Sequence, residues 1–135
     1  MSKQLLIYQD VVPVSLEKHQ QWSLKATNDF LFAKDVNSFP LLAIEFFQAA
    51  SIYPIVFIKT ESGVYPSAIV GIQDQQNLFV SDSGEWQADY IPAFVRRYPF
   101  VFSMSEDQKT LTVCVDESFE GCGIEPSINP YCFLA

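Results

Sequence analysis

A chain of 135 residues that is 49% hydrophobic and 15% aromatic has ample material for one core and lies outside the disordered class. Two domains would each be too small to bury a good core, so a single domain over 1–135 is expected. The formal charge of −8 repels phosphate backbones and anionic lipid surfaces, which argues against nucleic-acid binding and membrane docking.

The amino end, MSKQLLIYQD, has one Lys and a four-residue apolar run, short of the hydrophobic region of a secretory leader. The longest apolar stretch, FPLLAIEFFQAA, is interrupted by Glu45 and Gln48 and is too short to span a bilayer. The cytoplasm is the expected compartment. Cys114, Cys122 and Cys132 are three in number, so one is left without an intramolecular partner. Their spacing is wider than the close pairs of structural zinc sites. Free thiols in a reducing compartment, with no metal, are expected.

In chain order, LLIY (5–8) reads as a short strand entering a turn at Asp10–Pro13. Ser15 is placed to cap a helical turn at 15–20, and a strand follows at 21–26. A further short strand is expected at Phe30–Ala33. Asn37 or Ser38 then caps the clearest helix, FPLLAIEFFQAASIY (39–53), with Pro40 in its first turn and Pro54 ending it. Leu42, Phe46 and Ala49 recur at helical spacing, as do Ile44 and Phe47, while Glu45 and Gln48 form one polar strip. So apolar a helix is expected to be mostly buried.

From Pro54 the texture changes. PIVFIKT (54–60), SAIVGIQ (67–73) and NLFVS (77–81) read as strands, separated by the turn ESGVYPS and the tight connection DQQN. DSGEW (82–86) is a turn, and a short helix is expected at about 90–97. FVFSM (100–104) and TLTVCVD (110–116) form a hairpin, and the Gly- and Pro-bearing tail reads as loop. The predicted fold is α+β: an antiparallel meander sheet with one long apolar helix on a face and a second short helix.

The segment YIPAFVRRYPF (90–100) contains the chain's only arginines, side by side. Arg96 and Arg97 fall in the last turn of the short helix, where positive charge suits the dipole. The structural reading gives them internal acid partners, with Glu45, Asp82 and Asp89 as candidates. The functional reading makes them a site for an acidic ligand or partner. Trp86, Tyr90, Tyr98 and Phe100 surround them, a mixture found at interface hot spots and equally in core corners. The lone histidine, His19, has no triad context and reads as structural or solvent-facing. Ser81, Ser83, Ser103 and Ser105 lack a nucleophile elbow. No phosphate-binding loop, dinucleotide fingerprint or calcium loop is present, and no cofactor is expected. The acidic run DSGEWQAD (82–89) reads as a solvated turn.

The same residues carry a likeness to a family. YPIVFIK (53–59), then Gly71 with Asn77-Leu78-Phe79-Val80, then Tyr90, Pro92, Arg96, Arg97, Tyr98, Pro99 and Phe100 resemble the bacterial SapC-like family. VPVSLEKHQQW upstream and LTVCVDE downstream are similar as well, so the likeness covers about residues 5–117. It implies a bacterial or phage source and a single SapC-like domain; members are commonly longer, so the chain reads either as a short variant or as one from which the second half usual for the family has gone. It also implies an association with surface layers, from which the family takes its name, and an accessory role beside flavin-dependent halogenase-like enzymes. It supplies no catalytic residues. The expected function is a non-catalytic binding or accessory protein, with a protein partner or self-association and with Arg96, Arg97, Tyr90, Tyr98 and Trp86 as contact residues. The alternative is an enzyme of unrecognised type using Glu45, His19 and the Arg96/Arg97 pair. A surface-layer component is the third option.

Overall fold

A computed structural model describes residues 6–25, 27–124 and 131–132. Its strands are β1 (Val11–Pro13), β2 (Ser23–Leu24), β3 (Ser38–Pro40), β4 (Ile55–Thr60), β5 (Gly63–Ile69), β6 (Phe100–Met104), β7 (Leu111–Asp116), β8 (Cys122–Gly123) and β9 (Tyr131–Cys132). Three four-residue helices accompany them: α1 (Leu16–His19), α2 (Phe46–Ala49) and α3 (Ala93–Arg96). Among the described residues the strands form three antiparallel sheets, ordered β1-β7-β6, β8-β2-β9 and β3-β5-β4. The contacts divide the chain into two compact units, Met1–Thr27 with Tyr98–Ala135, and Asn28–Arg97.

The first unit is built from the two ends of the sequence. Hairpin β6–β7 pairs Phe102 with Val113 and Met104 with Leu111, as the alternating apolar residues of the two runs require. β1 adds to the other edge of β7, with Val12 opposite Val115. Pro13 is tolerated there because β1 is an edge strand. The first strand therefore lies where a turn was expected. Of the expected strand at 5–8, residue 5 lies outside the described residues and 6–8 form no strand, with a bend at 6 and 7. They are fixed by side chains: Tyr8 donates its hydroxyl proton to the Phe100 carbonyl at 2.7 Å. The Ser15 cap and the turn after it follow the sequence reading, with Ser15 Oγ accepting from the Lys18 N–H at 3.4 Å.

The second unit is organised by hairpin β4–β5, whose turn is tighter than expected, since Thr60 already pairs with Gly63. β3 lies on the far edge of β5, with Phe39 opposite Ala68. The expected strand at Phe30–Ala33 is a 3-10 turn, Leu31–Ala33, started by the Asp29 carboxylate accepting the Leu31 N–H at 2.9 Å. NLFVS is not a strand either; Val80 alone pairs with Trp86. The buried Asn77 side chain competes with a ladder, donating to the Ala33 carbonyl at 3.0 Å and accepting the Phe79 N–H at 2.9 Å.

The long apolar helix over 39–53 is absent, and the protein is predominantly β rather than α+β. The cause lies at both ends of the stretch. Ser38, Phe39 and Pro40 are taken up as edge strand β3, with Phe39 fully buried between Trp86 and Phe94, and the Leu41 N–H continues the pairing to the Pro66 carbonyl. At the other end Ile52 and Tyr53 turn back onto the Ala49 carbonyl, delivering Tyr53 to the core. Only a 3-10 turn, Ala43–Glu45, running into α2 remains helical.

Candidate functional site

The short helical stretch 43–49 shows an inverted distribution of polarity. Its buried positions are Glu45, 4% exposed, and Ala49 one turn later, whereas Ile44 and Phe47 are 87% and 94% exposed. Leu42, just before it, is also exposed, and half-buried Phe46 meets exposed Phe57 of β4 edge to face at 6.2 Å. The expected burial of this helix is thus reversed, and the polar strip assigned to Glu45 and Gln48 is split, because Gln48 is exposed while Glu45 faces inward.

Glu45 faces inward because donors wait for it there. One carboxylate oxygen accepts the Leu42 N–H at 2.8 Å, closing the start of its own helical turn. The other accepts the Tyr90 hydroxyl at 2.7 Å and the Ala93 N–H at 2.8 Å. Ala93 is the first residue of α3, so one carboxylate satisfies orphan N–H groups at two helix starts. The arginines meet aromatic rings. Arg96 lies over the Tyr90 ring, 5.6 Å from its centroid, and donates Nε–H to the Ile91 carbonyl at 2.9 Å. Arg97 lies 4.3 Å from the centroid of Phe94. Tyr90 therefore stands between Glu45 and Arg96. Burial, then the Glu45 carboxylate, pushes the Tyr90 hydroxyl pKa up against the opposing pull of Arg96. Asp82 pairs with Lys34 at 2.6 Å, which draws its pKa down.

Trp86 is a packing centre with one side open. It stacks on Phe79, meets Phe30 and Phe39, and donates its indole N–H to the Tyr53 hydroxyl at 2.8 Å. Tyr53 in turn donates to the Tyr90 carbonyl, and burial pushes its pKa up to about 12. Trp86, Tyr90, Arg96 and Glu45 are thus joined within the second unit. Tyr98 belongs to the first, packing against Tyr8 and Phe119, with its pKa also pushed up to about 12 by burial and by the Asp116 charge. Beside Trp86 an open cleft of about 390 Å³ is lined by Asn28, Phe30, Glu85, Trp86, Gln87 and Ile91.

In the first unit His19 is buried, edge-on to Trp22. Its Nδ1 accepts the Ser15 N–H at 3.0 Å, which leaves Nε2–H to donate to Glu117 at 3.1 Å. Glu117 also holds Lys18 at 2.6 Å, and that bond draws its carboxyl below the usual range. Asp116 is fully buried and accepts from the N–H groups of Gln9, Asp10 and Ser118 and from the Ser118 hydroxyl. Cys114 and Cys122 are free thiols; the side chain of Cys132 lies outside the described residues. Among the described residues no group of three metal-ligating side chains gathers, and no helix is long and apolar enough to cross a membrane.

Sequence reasoning did not find Ile44, Phe47 and Phe57 as surface residues, nor Asn28, Phe30, Gln87 and Ile91 as a lining. The signal for the first group was a carboxylate within an apolar helical run, which has two explanations: a polar strip, or a buried cap.

Three short antiparallel sheets, among the described residues, define an antiparallel β protein. The chain belongs to the SapC family, whose model matches residues 14–127. No curated protein and no solved structure matches it.

Proposed function

We propose that the protein is a non-catalytic binding or accessory module that works through a protein partner. The reading rests on the inverted helical stretch 43–49, which spends its buried positions on Glu45 and Ala49 and presents Ile44 and Phe47 to solvent. Covering a side chain such as Phe47 is worth roughly 1.5–3 kcal/mol, a strong incentive for a partner. Leu42 and Phe57 extend the same apolar character beside it. A modifying enzyme of the flavin-dependent halogenase-like kind, implied by the family resemblance, is a partner of the required sort.

The test is a double substitution, Ile44→Glu with Phe47→Glu. The wild-type chain should self-associate in sedimentation velocity, or retain a bacterial protein that the double variant releases. The variant itself should keep its stability to within about 0.5 kcal/mol per site, because both side chains are solvent-facing. A large loss of stability, or identical association of the two proteins, would overturn the reading.

A further inference from the structure

We infer that the cleft beside Trp86 binds an organic cation, an ammonium or guanidinium group carried on an aliphatic stem. The inference goes beyond the apolar face at 43–49 and does not need it. The cleft's volume of about 390 Å³ falls within the range of small-ligand sites. Its aromatic wall is fixed in place. Trp86 and Phe30 meet edge to face with centroids 5.8 Å apart, and Trp86 is stacked from within by Phe79. The indole N–H is already given to Tyr53, and the Phe30 N–H to the Gly84 carbonyl.

The polar part of the lining is uncommitted. Within the described chain the side chains of Asn28, Glu85 and Gln87 take part in no hydrogen bond or ion pair. Among the described residues Glu85 is the one charged lining residue. The surrounding charges are otherwise occupied or of the same sign: Asp82 is paired with Lys34, Asp29 accepts the Leu31 N–H, and Asp89 follows Gln87 by two residues. The cation tied to a lining residue, Arg96, donates to the Ile91 carbonyl and rests over Tyr90. A carboxylate and two amide oxygens beside π-faces attract a cation that can donate several hydrogen bonds. Ile91 and the rings suit an aliphatic stem. The net charge of −8 favours cationic over anionic ligands in the same direction.

Titration of the full ¹⁵N-labelled chain with N-acetyl-arginine amide and N-acetyl-lysine amide tests the inference. N-acetyl-glutamine amide and N-acetyl-leucine amide serve as neutral controls. The cations should shift the amide resonances of Phe30, Glu85, Trp86, Gln87 and Ile91, and should bind more tightly than either control. Glu85→Gln, a change at an exposed position, should weaken the cations about tenfold, as loss of the paired charge implies, and leave the controls unchanged. A short alanine peptide with a central arginine distinguishes the source. Tighter binding than the amide assigns the site to a polypeptide side chain, and equal binding assigns it to a free cation. Equal affinity for neutral and cationic probes, unchanged cation binding by Glu85→Gln, or an absence of shifts at these residues would overturn it.

Discussion

Cys122 illustrates how little of a residue's reactivity is decided by its identity. It is half-buried at the start of β8, and burial, followed by the charges of Asp116 and Glu117, pushes its thiol up to about 11. The thiolate is the nucleophile, so at pH 7.5 only a minute fraction is reactive. Burial raises the Cys114 thiol as well. In native protein treated with iodoacetamide at pH 7.5, peptide mapping should find Cys114 and Cys122 alkylated at least tenfold more slowly than in urea. Equal rates in both conditions would show that these thiols are not enclosed as described. Single residues were legible in the sequence where their partners are local. Ser15 caps α1 because its donor lies three residues on, and the odd number of cysteines leaves one without an intramolecular partner whatever the fold. His19 was legible only as structural or solvent-facing. Its Glu117 partner lies 98 residues away, beyond any local pattern.

The element most misread, the stretch 39–53, shows why composition and periodicity are insufficient when a buried polar group reverses a face. Leu42, Phe46 and Ala49 do recur at helical spacing, but the donors that hold Glu45 inside come from residues 90–93. Phe39 and Pro40, both acceptable at a helix start, fit an edge strand equally well once β5 is present. The hairpin β6–β7 was legible because alternation and a short connection are properties of adjacent sequence, whereas β4 was read in place but β5 begins at Gly63 inside the expected turn. Glu45 is therefore the residue on which the helical elements of the second unit depend. Glu45→Ala should cost about 2–4 kcal/mol in urea unfolding, since it strands the Leu42 and Ala93 N–H groups and the Tyr90 hydroxyl. Glu45→Gln should cost about 1–2 kcal/mol, because one carboxamide oxygen can still serve part of that set. Equal and small effects for both would mean that water replaces the carboxylate readily. Of the candidate site, the link from Trp86 and Tyr90 to Arg96 was legible as a cluster, whereas the exposed Ile44 and Phe47 and the cleft lined by Asn28 and Phe30 were not. Those features need the pairing of distant segments before they exist.

Across the whole molecule, two electrostatic effects oppose each other as pH falls. The charge of −8 makes the chain repel itself at neutral pH, and protonating ordinary carboxylates near pH 4 relieves that repulsion. Asp116 acts in the opposite direction. Burial works against its charged form, but the Ser118 hydroxyl and the N–H groups of Gln9, Asp10 and Ser118 outweigh burial and hold its pKa below the usual value. A carboxyl whose folded pKa is depressed contributes stability that is fully present above its unfolded pKa, near 3.9, and lost as pH falls through the folded one. Glu117, drawn down by Lys18 and His19, shifts in the same direction. The urea midpoint should thus stay level or rise slightly from pH 7 to about 4, then fall steeply below that. Asp116→Asn replaces a four-donor acceptor with a group that turns two N–H donors toward other donors, at a cost of about 2–4 kcal/mol at pH 7. Its disadvantage should shrink as pH falls through the lowered pKa of the wild-type carboxyl, because the protonated carboxyl no longer brings the charge that those donors favour. Parallel curves for the two proteins from pH 7 to 2 would remove Asp116 as the origin of the acid transition. The same curves locate the anchoring of the N-terminal segment, because Gln9 and Asp10 are held to the end of β7 by this carboxylate. Their amide protons should lose protection from exchange in the variant before those of β6 and β7 do.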